Sequence, residues 1–311
     1  MRPAWSVILL TTLTGAAQGL LLVLVALEWA ARGRLLEPLD ARFFVLGSAV
    51  AVVLTIGGLV ASFLHLGRPE RAWRAAAMWR TSWLSREVLV LPAFAIATAA
   101  YGTLHAMSGD ATLAVGSAAA VLALALFVCT GMIYACLRFI QEWSSPLTVV
   151  NYVLLGCASG ALAAAALAGR FALEARGTTL LAAAVITTLA MITRGASLIR
   201  NARLRHRSTL QTAIGIRHPR IVQKAQGAMG GSFNTREFFH GRSRLFIRRT
   251  REAFLLLAFA VPLVLLLVAS AAPAVLVPLA FAVQFVGLTA ERWYFFAEAN
   301  HPQNLYYQAI S

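Results

Sequence analysis

Apolar residues run along this chain in long uncharged blocks, with no sustained polar face. Residues 3–27, 43–64, 88–109, 111–137, 143–169, 177–193 and 253–290 contain no Asp, Glu, Lys or Arg. A helix needs about 20 apolar residues to cross the hydrocarbon layer, so the first six blocks each predict one span. The last block is too long for one crossing and carries Pro273 and Pro278 near its middle, which predicts two spans joined by a tight turn. The expectation is an all-α integral membrane protein with eight transmembrane helices, a single polytopic domain over residues 1–311. The spans fall near 5–30, 43–66, 84–104, 111–134, 148–167, 178–199, 253–271 and 274–295. The first block is too long for a signal-peptide apolar region and lacks an obvious cleavage site, so it is read as a retained span. Composition agrees: 59% of the 311 residues are hydrophobic and 13% charged, more apolar surface than one soluble core of this size buries.

Charge sets the expected orientation. Eight crossings put both termini and the even-numbered loops on one face, which receives 22 of the 27 basic residues and seven of the 12 acids. The other face receives five of each, so the formal charge of +15 lies wholly on the terminal face. Without the basic loop at 200–252 the short segments still divide nine basic residues to five. The positive-inside rule then places both termini in the cytoplasm. Six of the seven tryptophans, Trp5, Trp73, Trp79, Trp83, Trp143 and Trp293, share that face, an excess that suggests a docking surface or an amphipathic pocket there.

Arginines beside a membrane meet anionic lipid headgroups, and no nucleic-acid module is recognisable, so nucleic acid is not an expected partner. Within the loop, KAQGAMGGSFNTREFFHGRSR at 224–244 mixes glycines with aromatic side chains, a composition suited to fitting against another protein. Its candidate docking residues are Phe233, Arg236, Phe238, Phe239 and His240.

Cys129, Cys136 and Cys157 lie in or at the edge of predicted spans and form no C-x-x-C pair, so no iron-sulfur cluster is expected in this chain. They read as buried small apolar residues. Haem is not expected either: His65 and His105 sit at opposite ends of neighbouring spans and cannot share one iron, and the other four histidines lie outside the spans. No resident metal is predicted.

The stretch with the most chemistry is SFLHLGRPERAWRAAAMWRTSWLSREVL, residues 62–89, where one span ends and the next begins. Gly67 and Pro69 give a stop, and Ser82 or Ser85 can cap the next helix. If that helix begins early, Trp79, Trp83 and Glu87 share one face. One reading is an interfacial turn whose arginines meet lipid phosphate while Glu87 pairs with Arg86 or Arg68. The other is a quinone pocket, which needs donors for two carbonyl oxygens, a proton carrier and an aromatic wall. In that reading His65 donates and shuttles, Glu87 relays protons, Arg86 polarises an oxygen and Trp83 forms the wall.

HLGRPERAW followed by SWLSREV closely resembles the motif of the DmsC family, the membrane anchor subunits of dimethyl sulfoxide reductases, and the eight-span layout extends the resemblance over the chain. The resemblance implies an anchor that exchanges electrons between membrane quinone, ubiquinone or menaquinone, and an iron-sulfur subunit joined to a molybdopterin catalytic subunit. Such an anchor holds no metal and does not perform the molybdenum chemistry. By the resemblance His65 and Glu87 map onto the family's quinone site, with Arg68, Trp83, Ser85 and Arg86 in the same motif. In the family's periplasmic reductases that site lies on the side where the catalytic subunits dock. Here it falls on the predicted cytoplasmic face, which implies cytoplasmic catalytic subunits. GGSFNTREFFHGRS resembles the anchors of cytoplasm-facing sulfite dehydrogenases, implying electron flow from sulfite to quinone. The alternatives are a quinol-oxidising anchor of a dimethyl sulfoxide, polysulfide or related reductase, and a secondary transporter. A transporter would place charges at mid-membrane and break helices in matching halves; here Pro92, Pro262 and Pro278 are the candidates within spans, and the charges gather at one edge.

Overall fold

The computed structural model describes residues 1–64, 66–205, 207–222, 224, 238–269 and 275–305. Its long helices are α1 (Trp5–Arg32), α2 (Ala41–Phe63), α3 (Trp83–Ala106), α4 (Thr112–Ala135), α5 (Pro146–Phe171) and α6 (Arg176–Ala202). A short α7 (Leu210–Ile214) precedes α8 (Arg244–Ala269) and α9 (Leu276–Glu298). Seven helices among the described residues, α1 to α6 and α8, are long and apolar enough to cross a membrane. The chain is thus an all-helical, multi-pass membrane protein. α9 is 23 residues long but carries Gln284, Glu291 and Arg292, which dilute its apolar run.

Local sequence sets the helix starts. Asp40 accepts from the Arg42 amide at the head of α2, and Ser145, followed by Pro146, caps α5. Ser82 accepts from the Ser85 amide at 3.3 Å, so α3 starts at Trp83. This corrects the early start considered from sequence: Trp79 lies in the turn before α3 and does not share a helical face with Trp83 and Glu87. Between α2 and α3 the chain forms a 3₁₀ helix, Pro69–Ala76. Pro278 sits in the first turn of α9, where proline costs little, and not deep within a span.

Two close crossings hold the bundle. α1 is central and packs on α5, α2 and α4. At its crossing with α5, Gly15 and Gly19 meet Gly156 and Gly160, so each helix presents a pair of glycines four residues apart. A Cβ on Gly19 would lie 2.2 Å from the Gly156 carbonyl oxygen, and only glycine permits that approach.

The second crossing pairs α8 with α9 in antiparallel sense: Val277 packs near Leu266 and Ala269, Gly287 against Ala258, and Tyr294 against Phe254. Over Leu256–Ala260 the α8 backbone widens into a π turn just before Pro262. Proline lacks the N–H that would bond the Ala258 carbonyl, and the Gln284 amide of α9 donates to that oxygen at 3.2 Å instead.

Candidate functional site

Glu87 stands one turn into α3 at the terminal face, with 9% of its surface exposed. Its Oε1 accepts a 2.5 Å hydrogen bond from the Thr130 hydroxyl on α4. Ser85 beside it is buried. Arg86 turns outward: its guanidinium donates to the carbonyls of Trp79 at 2.9 Å and Arg80 at 2.8 Å, and lies 4.2 Å over the Trp83 ring. Arg86 therefore clamps the turn onto Trp83, and Glu87 bonds Thr130 in place of the arginine pairing weighed from sequence. Arg68 is exposed at the head of the 3₁₀ helix. His65 lies outside the described residues. Phe63, Leu64, Trp73, Met78, Trp79 and Leu84 are all exposed around this turn, forming an apolar shelf interleaved with arginine. The arrangement places a buried carboxyl next to an aromatic and cationic shelf, suited to exchanging a proton with a flat carbonyl-bearing ring.

A second constellation, which the sequence reading missed, lies deeper on the same face. Arg194 on α6 pairs with Glu291 on α9 at 2.6 Å, and the two residues are 2% and 0% exposed. Arg292 lies 3.6 Å from Glu291 and stacks 3.8 Å over Tyr152, and Arg194 reaches Glu298 at 3.8 Å. The signal was available: these charges fall inside the predicted spans 178–199 and 274–295, where an ionisable residue marks a site.

The profile of the DMSO reductase anchor subunit family (DmsC) matches residues 1–297. The chain belongs to that family. It is similar over its full length to a sulfite dehydrogenase subunit from Allochromatium vinosum, with 52% identity over 328 residues and complete coverage of both chains. As a DmsC-family chain it is a membrane anchor subunit, and the Glu87 shelf and the Arg194 network both belong to the terminal face of that anchor.

The opposite end of this DmsC-family anchor holds a third polar group. Glu28, 3% exposed, accepts from Tyr101 at 2.8 Å and Thr112 at 2.6 Å, with Arg32 at 3.7 Å and His105 at 3.4 Å. Phe44 stacks on His105 at 4.3 Å, so that histidine serves packing and Glu28.

Of the docking candidates, Phe233 and Arg236 lie outside the described residues. Phe238 is engaged by its own chain: its ring stacks on His301 at 4.0 Å and its carbonyl accepts from Asn304. Phe239 is half-buried, and the His240 ring accepts from the Arg242 amide. Burial holds the His240 imidazole below its usual pKa. A cavity of ≈580 Å³ beside them is lined by Arg138, Phe139, Arg207 and His301 among others. Among the described residues no group of three His, Cys, Asp or Glu is placed to hold a metal. Cys129 is buried, Cys157 half-buried and Cys136 exposed, so the expectation of three buried thiols fails at Cys136, the residue that follows α4.

Proposed function

We propose that this DmsC-family chain is the membrane anchor and quinone-reactive subunit of a sulfite dehydrogenase. The full-length relative named for that enzyme supports the substrate. The observation that carries the quinone site is Glu87, a buried carboxyl bonded to a neutral hydroxyl directly beneath the Trp83–Arg86 clamp. In this reading α9 is the eighth crossing, pairing along the length of α8, and both termini face the cytoplasm of a bacterial inner membrane. An iron-sulfur subunit docks on the basic terminal face through the 200–252 loop and links the anchor to a molybdopterin catalytic subunit.

Sulfite and water give sulfate, two electrons and two protons in the catalytic subunit. The bound quinone supplies the acceptor chemistry, taking two electrons and two protons to become quinol. Within this chain Trp83 forms the wall of the site, and Arg86 fixes that wall by holding the Trp79 and Arg80 carbonyls. Glu87 holds and releases a proton at its carboxyl, oriented by Thr130. By the family motif His65 and Arg68 belong to the same site, with Ser85 buried beside Glu87.

The test is purification of the tagged complex in mild detergent, with metal analysis and assay of sulfite oxidation by a quinone analogue. Molybdenum and iron should accompany two further subunits. Glu87→Gln should lower quinone reduction by about 10²-fold, as loss of a positioned proton carrier does, while sulfite oxidation by a soluble one-electron acceptor persists. Quinone reduction at the unaltered rate in an assembled Glu87→Gln complex overturns the site.

A further inference from the structure

Thr130, which donates to Glu87, also lines a partly enclosed cavity between α1, α4, α5 and α9 whose wall carries several polar side chains. Two buried polar atoms in its wall, Gln18 Oε1 and Ser159 Oγ, find no hydrogen-bond partner within the protein, and the Tyr152 hydroxyl beside them meets that of Tyr134. The space open to the centre of a water molecule is ≈20 Å³. A water needs roughly 10–15 Å³ of such space and two to four polar partners, and this cavity meets both requirements. An apolar void of that size would stay dry.

The cavity belongs to a series. Arg292 lines it and also lines a second cavity of ≈10 Å³, whose wall includes Glu291, Asn151 and Ser197. That one shares Glu142 and Asn201 with a third, more open pocket of ≈200 Å³, which reaches Glu298 and Asn300 at the terminal face. Cavities that share lining residues therefore follow one another from that face to Thr130. A structural ion cluster alone needs no water-sized cavity leading away from it toward a carboxyl on another helix pair.

We propose that this series is a hydrated proton path that recharges Glu87 from the cytoplasmic face, with Glu298, Glu291, Tyr152, the cavity water and Thr130 as its stations. The inference rests on the reading of Glu87 as the proton carrier of the quinone site. For each quinone reduced by two electrons from the iron-sulfur partner, two protons are taken from the cytoplasm. Glu87 gives up its carboxyl proton and takes one from the Thr130 hydroxyl; Thr130 takes one from the cavity water, the water from Tyr152, Tyr152 from Glu291, and Glu291 through Glu298 from the cytoplasm, so every station ends as it began. Arg194 and Arg292 do not carry protons, because a guanidinium stays protonated; they hold Glu291 in place.

The test uses the intact complex with sulfite and a quinone analogue. Tyr152→Phe combined with Ser159→Ala removes two hydroxyls that anchor the water and leaves the ring beneath Arg292. Turnover should fall roughly tenfold, less than the ~10²–10⁴ of a proton donor acting directly, with an enlarged solvent isotope effect and an unchanged KM for the quinone analogue. Millimolar amounts of a small weak acid should restore part of the rate. An unaltered rate and isotope effect overturn the path. If the double variant fails to assemble, Tyr152→Phe and Ser159→Ala are made singly, since neither residue bonds Glu87: each should lower the rate and enlarge the isotope effect, and wild-type values for both overturn the path. Glu87→Gln run in parallel separates the two ideas. If it abolishes quinone reduction while the cavity variants behave as wild type, the path falls and the quinone site stands; if it has no effect, both fall.

Discussion

Gly160→Ala tests whether the α1–α5 crossing holds the bundle. A Cβ at position 160 would lie 2.0 Å from the Gly19 carbonyl carbon and the Leu20 nitrogen, and 2.5 Å from the Gly19 Cα. All three are backbone atoms, so no rotamer change relieves the clash. Ordinary contact begins at 3.4 Å, so α1 and α5 must move apart locally by at least 1.4 Å. That displaces Leu20, Leu21 and Leu24 from the cluster they form with Ala163, Ala164 and Ala168. Overpacking that side chains can absorb costs about 1–3 kcal/mol, and a clash between backbones should cost about 3–5 kcal/mol. Alanine's better helix propensity returns about 1 kcal/mol, leaving a net loss of about 2–4 kcal/mol. The control is Gly195→Ala in α6, where a Cβ meets nothing within 4 Å and the same propensity gain should appear alone. Thermal unfolding of the purified complex in one detergent, followed by size-exclusion fluorescence, compares them. The Gly160 variant should lose several degrees or fail to assemble, and the Gly195 variant should match or exceed wild type. Equal Tm values for the two variants would refute the argument.

Gln284→Leu leaves the Ala258 carbonyl without the donor that replaces Pro262, and should destabilise the fold by about 1–3 kcal/mol, with faster amide exchange confined to the π turn of α8. Arg194→Met strips Glu291 of its 2.6 Å partner at a site with 0% exposure, and should cost about 3–5 kcal/mol; adding Glu291→Gln should recover part of that, and a double variant no more stable than the single one would count against a buried ion pair. Tyr101→Phe removes one hydrogen bond to Glu28 and should lower stability by about 1–2 kcal/mol without altering the KM for a quinone analogue, because this group lies at the far end of the bundle from Glu87.

The first six candidate crossings were legible because uncharged length suffices to reveal them: apart from at most three residues at an end, each uncharged block up to residue 193 lies in one long helix. The turn at 62–89 announced itself by the density of arginine and tryptophan around Glu87. Its internal geometry did not, since the start of α3 depends on whether Ser82 or Ser85 caps, and both spacings suit a cap. Glu87's partner was equally hidden, because Thr130 lies 43 residues away and a threonine in an apolar span carries no signal of its own. The α1–α5 crossing left a trace in the paired glycines at 15, 19, 156 and 160, but glycine is common in membrane helices and the pairing of α1 with α5 is a matter of topology. Arg194, Glu291 and Arg292 were visible as charges inside spans; counting them as loop charge for orientation concealed that they pair with each other.

Among the described residues, the polar features along α1 stop short of a route across the membrane. Gln18 borders the cavity linked to Glu87, and Glu28 belongs to the opposite cluster. Nine residues of one helix lie between them, ten steps or about 15 Å at a rise of ~1.5 Å per residue. Every α1 residue between them is glycine or aliphatic, and Leu20, Leu21 and Leu24 are fully buried against alanines of α4 and α5. A proton crossing this layer would lose all hydrogen-bonding partners along α1, at several kcal/mol for each unsatisfied group. On the proposed orientation, sulfite oxidation releases two protons in the cytoplasm and quinone reduction takes two from the same side, so turnover moves no net charge. Energy is then conserved only in the quinol. The complex reconstituted in proteoliposomes with a quinone analogue should oxidise sulfite without building a membrane potential, and an uncoupler should leave its rate unchanged. A sulfite-dependent, uncoupler-sensitive potential would show that protons do traverse this layer, and would require a polar route away from α1.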